Sequence, residues 1–225
     1  MSTIVGSGIF AKQLPDVPHL NTGEIADLRR DVRGVLAPLA SMCVVEYTDP
    51  AAAAPAGLRV ATATVAAPVT VTSFLAPGLA ALLADGRNVT FTTAGGTAAD
   101  APATATITGT DMDDKPQTET VNLAQTATIA NGVKIFKTIS KIDFPAADGT
   151  GATIAIGFGL SLGLPLPMKS RAGLAGIIRE IAAGAVVTNG VVSATNRSYT
   201  PNTAPNGSND YAIYYEYDAS VIKDQ

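Results

Sequence analysis

Between Asn88 and Gly159 the chain repeats one phrase five times, and that repetition constrains the fold more than anything else in it. "NVTFTTA", "ATATITGT", "QTETVNLAQ", "KIFKTISKIDF" and "ATIAIGFG" set threonine or another polar residue against small or β-branched apolar residues. Side chains two apart share a face of a strand, so this alternation describes strands with one covered side. The connectors "GGTAADAP", "DMDDKP", "TATIANG" and "PAADGTG" are built from turn formers. Regularly spaced short strands with such punctuation predict a mainly β protein, an antiparallel β-sandwich or related β-rich fold.

The flanking regions are less uniform. "SMCVVEYT" at 41–48 reads as a strand, "DPAAAAPAG" at 49–57 as a loop, and 58–74 as strands interrupted at Pro68. "LAPGLAALLADG" suggests a Pro-Gly turn and a single helical turn ending at Gly86. Two short helices are expected. One lies in 21–36, with Ile25, Leu28, Val32 and Val35/Leu36 on a stripe and Asn21 three residues before Glu24 as a capping box. The other lies in 168–184, with Leu174, Ile177, Ile178 and Ile181 on a stripe that Gly173 and Gly176 weaken. Asn189-Gly190 between β-branched pairs predicts a hairpin. "YTPNTAPNGSND" reads as a loop, and "YAIYYEYD" as a last strand with Tyr211, Ile213, Tyr215 and Tyr217 on one face. Residues 1–20, with Gly6, Gly8, Pro15 and Pro18 and no sustained period, read as an extended N-terminal arm. Residues 21–225 then form a β-rich domain, with a subdivision near 86 the one internal boundary suggested.

Composition narrows the function classes. The formal charge is −4 and no block of Lys or Arg occurs, so direct nucleic-acid binding is not expected. Cys43 is the one cysteine, which excludes an intramolecular disulfide and a multi-cysteine metal site. The N-terminus lacks the pattern of a secretory signal and no run reaches the length of a membrane span, so a soluble protein made in the cytoplasm, with no membrane partner, is expected.

The acidic cluster Asp111, Asp113 and Asp114 is the one stretch resembling a metal site, offering hard oxygen ligands suited to calcium. Measured from Asp111, however, the sixth position of a calcium loop is Pro116 where glycine is needed, and the twelfth is Asn122 where a bidentate Glu is needed. A plain hairpin tip facing solvent or a neighbouring subunit is the favoured reading. His19, the one histidine, lies in the arm, and Cys43 sits in an apolar run as a small buried thiol. Glycines 151, 157 and 159 do not spell a dinucleotide fingerprint and read instead as a bulge or as close packing of another backbone. Glu180 and Arg179, like Glu24, Asp27, Arg29 and Arg30, read as solvated or salt-bridging helix faces. No catalytic residue and no cofactor are expected.

The stretches "NVTFTTAGGTAADAPATATITGTDMDDKPQTETVNL", "GVKIFKTISKIDFPAADGTGATIAIGFG" and "YTPNTAPNGSNDYAIYYEYD" together resemble segments of the virion structural proteins of tailed bacteriophages. The resemblance implies a non-enzymatic coat component, most like a capsid decoration or cement protein that clamps neighbouring major capsid subunits from outside the shell. It implies the major capsid protein as partner and self-association, with a trimer astride capsid threefold positions as the first geometry to test. A neck, tail-tube or other tail component is the alternative in the same class. A host- or glycan-binding module, using aromatic faces such as Tyr214, is the alternative from a different class. An extended arm of about 20 residues reaches roughly 66–70 Å, enough to cross onto a neighbour.

Overall fold

The computed structural model describes residues 41–97, 100–123, 129–168 and 177–217. The expected arm, the helix at 21–36 and His19 lie outside the described residues. Within them the protein is mainly β, built from three antiparallel sheets.

The first sheet contains β1 (Ser41–Tyr47), β10 (Ile177–Ala182), β11 (Ala185–Val187) and β14 (Tyr211–Tyr217), in the order β1-β14-β10-β11. The second runs β12 (Val191–Ser193), β13 (Ser198–Thr200), β9 (Thr153–Gly163), β4 (Arg87–Ala94), β7 (Ile129–Phe136), with β2 (Ala54–Ala63) also paired to β9. The third runs β3 (Val69–Val71), β8 (Thr138–Phe144), β5 (Thr104–Thr110), β6 (Pro116–Asn122). One helix, α1 (Ala76–Asp85), precedes β4.

The alternation read from the sequence is the packing code. On β5, Ala105, Ile107 and Gly109 are buried while Thr104, Thr106, Thr108 and Thr110 lie toward the outside. The outward threonines pair across strands, Thr106 with Thr120 at 3.2 Å and Thr110 with Thr138 at 2.7 Å. The inward residues meet Val89, Phe91, Ile154, Ile156 and Phe158 of the second sheet, closed at one side by Leu58 and Leu82. A second core lies under the first sheet and gathers Tyr47, Leu162, Leu164, Tyr199, Tyr211, Ile213 and Tyr215. Strand β9 runs past both cores. Ile156 and Phe158 belong to the first and Leu162 to the second.

Several expectations are corrected. "KIFKTISKIDF" is not one strand. The chain breaks at Lys137, β7 pairs with β4 in the second sheet, and β8 pairs with β5 in the third. A single run can serve two sheets because Ile135, Phe136, Ile139, Ile142 and Phe144 are all buried. β7 also begins at Ile129, inside the expected connector, and β2 begins at Ala54, inside the expected loop. The expected single helical turn at 75–86 is a 10-residue helix. Its Ala/Leu composition favours helix and its proline sits in the first turn, where no intrahelical donor is lost. The helix expected over 168–184 fails where it is described, since Ile177–Ala182 is a strand hydrogen-bonded to β14. Pairing with β14 overrides a weak helical period in a run rich in β-branched residues. The Asn189-Gly190 hairpin fails as well, because β11 pairs with β10 and β12 with β13. The dipeptide instead carries the chain from the first sheet to the second.

Candidate functional site

The acidic tip joins β5 to β6 as expected, with Thr110 opposite Pro116. Asp111 turns its own loop: its Oδ1 accepts from Asp113 N–H at 2.8 Å and Lys115 N–H at 3.0 Å. Asp113 instead pairs with the Arg197 guanidinium, and Asp114 pairs with Lys137 Nζ at 2.8 Å. Three carboxylates thus face three different partners. Among the described residues no three acidic, His or Cys side chains converge as a metal requires. Asp111, Met112 and Asp113 are half-buried against the body, while Asp114, Lys115 and Pro116 stand exposed, so the end of the tip faces outward. Arg197 also donates to Pro165 O, and Met112 lies against Gly86 and Gly163, where an added Cβ would sit 2.3 and 2.5 Å from its sulfur. Glycine at both positions lets the thioether fill the seam between sheets.

Cys43 is buried, and burial pushes its thiol up from its ordinary range, more than the Tyr215 hydrogen bond lowers it. Tyr211, Tyr215 and Tyr217 are buried on the face of β14 that the alternation predicts, while Tyr214 is half-buried on the other. The phenols are tied to the backbone: Tyr47 donates to Gly163 O at 2.8 Å and Tyr211 to Thr203 O at 3.0 Å. Burial raises the Tyr47, Tyr199, Tyr211 and Tyr215 hydroxyls above the ordinary phenol range.

Glu180, read from the sequence as a solvated helix residue, is fully enclosed on β10. Its Oε2 accepts from Tyr199 O–H, from Gly190 N–H at 3.1 Å and from Asn202 N–H at 3.2 Å. The carboxylate therefore holds the crossing between two sheets, which is why Asn189-Gly190 does not close a hairpin. Asn189 Oδ1 accepts from Glu180 N–H at 2.9 Å, completing the lock.

A groove of about 510 Å³ lies on the outer face of the second sheet. It exists because β4 has irregular neighbours on both sides. Asn88 pairs with Ile135 and Thr90 with Asn131, so β7 carries two extra residues there. Arg87 pairs with Leu162 and Val89 with Phe158, so β9 carries two extra residues as well. Asn88 lies between these bulges and holds both, donating to Gly132 O at 3.1 Å and accepting from Ser161 N–H at 3.2 Å. Behind the β7 bulge, Glu119 Oε1 accepts from Val133 N–H at 2.6 Å and Lys134 N–H at 3.2 Å. Bulges re-aim side chains and bend a strand. Here they turn the floor into a trough whose walls include the two outer strands, β7 and β12.

Among the described residues the trough has no charged residue in its lining. Its floor carries Asn88, Asn131, Ser161 and Thr200, and its rim carries Ile129, Val133, Leu160 and Val191, which are 52%, 61%, 36% and 73% exposed. Sequence reasoning missed this surface. Its one sequence signal is the presence of Gly132 and Gly159 within strands, the second of which was read as a bulge or as close packing of another backbone.

Apolar side chains standing in water around a rigid, uncharged trough suit contact with another macromolecule better than chemistry on a small substrate. Among the described residues no helix is long and apolar enough to cross a membrane. Comparison with protein-family models, with curated proteins and with solved structures found no match to this chain.

Proposed function

We propose that this chain is a structural virion protein of a tailed bacteriophage, a decoration or cement protein that binds the outside of the assembled shell and reinforces it. Its partner is the major capsid protein, and copies associate with one another, with a threefold cluster as the geometry to test first. The observation that carries the reading is the trough in the second sheet, a surface with exposed aliphatic rims whose two bulges are held by Asn88. The resemblance in the threonine-rich stretches supports it, since those stretches supply most of β4 to β9 and with them the β4, β7 and β9 part of the trough.

The mechanism is mechanical. A rigid β body contributes a modest contact to each of several neighbours, and symmetry multiplies those contacts over the shell. A flexible body would spend much of that contact energy on ordering itself. Placement of the buried tyrosines leaves the glycan-binding alternative with half-buried Tyr214 as its main aromatic, which is little for a sugar to stack on.

Copy number and position in an imaged virion test the proposal. Roughly hundreds of copies on the outer shell are expected from capsid symmetry. A count of about six or twelve, located at the neck or tail, would replace it with the tail-component reading.

A further inference from the structure

We infer that the trough on the second sheet receives the N-terminal segment Ser2–Phe10 from a second copy of this chain. The inference deepens the proposed function, from which it takes the presence of neighbouring copies, by naming the surface through which they join.

The trough sets the chemistry of its occupant. With no cation or anion among the described residues of its lining, it offers nothing to a phosphate, an acidic peptide or a basic segment. Its exposed rim residues Ile129, Val133, Leu160 and Val191 ask for aliphatic or aromatic side chains. No aromatic ring stands among its exposed residues, so sugars have no stacking platform there. A backbone partner is also on offer. Among the described residues, β12 pairs through its ladder with β13 alone, so its outer side presents an unpaired strand edge. An extended segment laid along that edge gains main-chain hydrogen bonds, while alternate side chains reach the trough.

Among the segments outside the described residues, 2–10 lies in the longest run without a charged side chain or a proline. "STIVGSGIF", residues 2–10, has no charged side chain and no proline, and sets the apolar pairs Ile4-Val5 and Ile9-Phe10 on either side of Gly6, Ser7 and Gly8, so that an extended strand turns one member of each pair toward the trough. The other terminal segment, "DASVIKDQ" at 218–225, carries Asp218, Lys223 and Asp224. Residues 21–40 and 169–176 also carry charged side chains. A charged segment would have to bury those groups in an uncharged trough at substantial cost. Between Phe10 and Ser41 lie 30 residues, which with the helix expected over 21–36 span roughly 70 Å. That is ample for reaching an adjacent copy.

The test uses full-length protein in two isotopic forms. A heavy chain carries Ile9→Cys and a light chain carries Val191→Cys. Native Cys43 is buried and stays in place. The two are mixed, oxidised mildly and digested for mass spectrometry. A light chain with Leu83→Cys, exposed on α1 away from the trough, measures chance collision. The expected result is a heavy–light disulfide joining position 9 to position 191 in at least about tenfold greater yield than the Leu83→Cys control. Adding Val133→Asp to the light chain should cut that yield by about tenfold, since a carboxylate on the rim opposes an apolar occupant. Yields equal to the control would overturn the inference. So would a chain carrying both Ile9→Cys and Val191→Cys that links only to itself, which would place the segment in its own trough. Insensitivity to Val133→Asp would equally count against it. The outcome is separable from the proposed function: a position 9 to position 191 link in a protein absent from the outer shell removes the capsid role and leaves this inference standing.

Discussion

Arg87 is enclosed on every side and yet carries a fixed charge. Its guanidinium donates to Ala51 O at 2.8 Å, Gly159 O at 3.3 Å and Asp85 Oδ2 at 3.3 Å, and lies 5.7 Å from the centre of the Phe158 ring. Burial lowers the Arg87 pKa and raises that of Asp85, in each case ahead of the partner's opposing pull. The pair is therefore weak evidence for stability as an ion pair. The value of the arginine lies in its reach, since one planar fork satisfies carbonyls from a loop and from the β9 bulge. Replacing Arg87 with Ala should cost about 3–5 kcal/mol, leaving a buried carboxylate and two carbonyls without their donor. Lys, a single point donor, should recover part of that. Urea unfolding of the two variants checks this, and a loss below about 1 kcal/mol for Arg87→Ala would show that water replaces the guanidinium. Single residues were unevenly legible. Gly157 was read as a bulge or a site of close backbone packing, and the second holds, since an added Cβ there would lie 2.0 Å from Ala54 O. Glu180 was misread, because a lone carboxylate in an apolar run looks the same whether solvated or buried until its donors, 10 and 22 residues onward, are known.

At the scale of elements, alternation revealed the strands but not where each one goes. The period-two pattern of β5, β6 and β14 depends on neighbours in the same sheet, so it is written locally. The break at Lys137, the crossing at Asn189-Gly190 and the bulges beside Asn88 depend on distant partners, and their residues look ordinary in sequence. The β7 bulge shows the energetic side of this. Two N–H groups that would have bonded across the ladder bond to Glu119 instead, and both hydrogen bonds are charge-assisted. Glu119→Ala should destabilise the protein by about 2 kcal/mol, and Glu119→Gln by roughly half as much, because the amide keeps an acceptor without the charge. Hydrogen exchange localises the effect: amides of Val133 and Lys134 should lose protection first, ahead of those in β5. Uniform loss across both sheets would mean that Glu119 supports global packing rather than this bulge.

For the whole molecule, the two cores differ in chemistry while sharing strand β9. The first is built on Phe91, Phe136, Phe144 and Phe158 and the second on Tyr47, Tyr199, Tyr211, Tyr215 and Tyr217. Only the second responds to alkali. Burial raises the phenols of Tyr47, Tyr199, Tyr211 and Tyr215 above their ordinary value of 10.0, while the unfolded chain keeps that value. Above about pH 10 the unfolded state therefore releases protons that the folded state holds, and stability falls as pH rises. Below pH 10 these groups are protonated in both states and the contribution is constant. The consequence reaches the first core because β9 places Ile156 in one core and Leu162 in the other, and because Arg87 ties the seam. Phenolate absorbance should thus appear in one steep step above pH 10, at the same pH at which amides of Val89 to Thr93 in β4 lose exchange protection. If phenolate forms and β14 loses protection while β4 stays protected, the two cores unfold separately, and the shared strand joins them too weakly for the molecule to bear load as one rigid body.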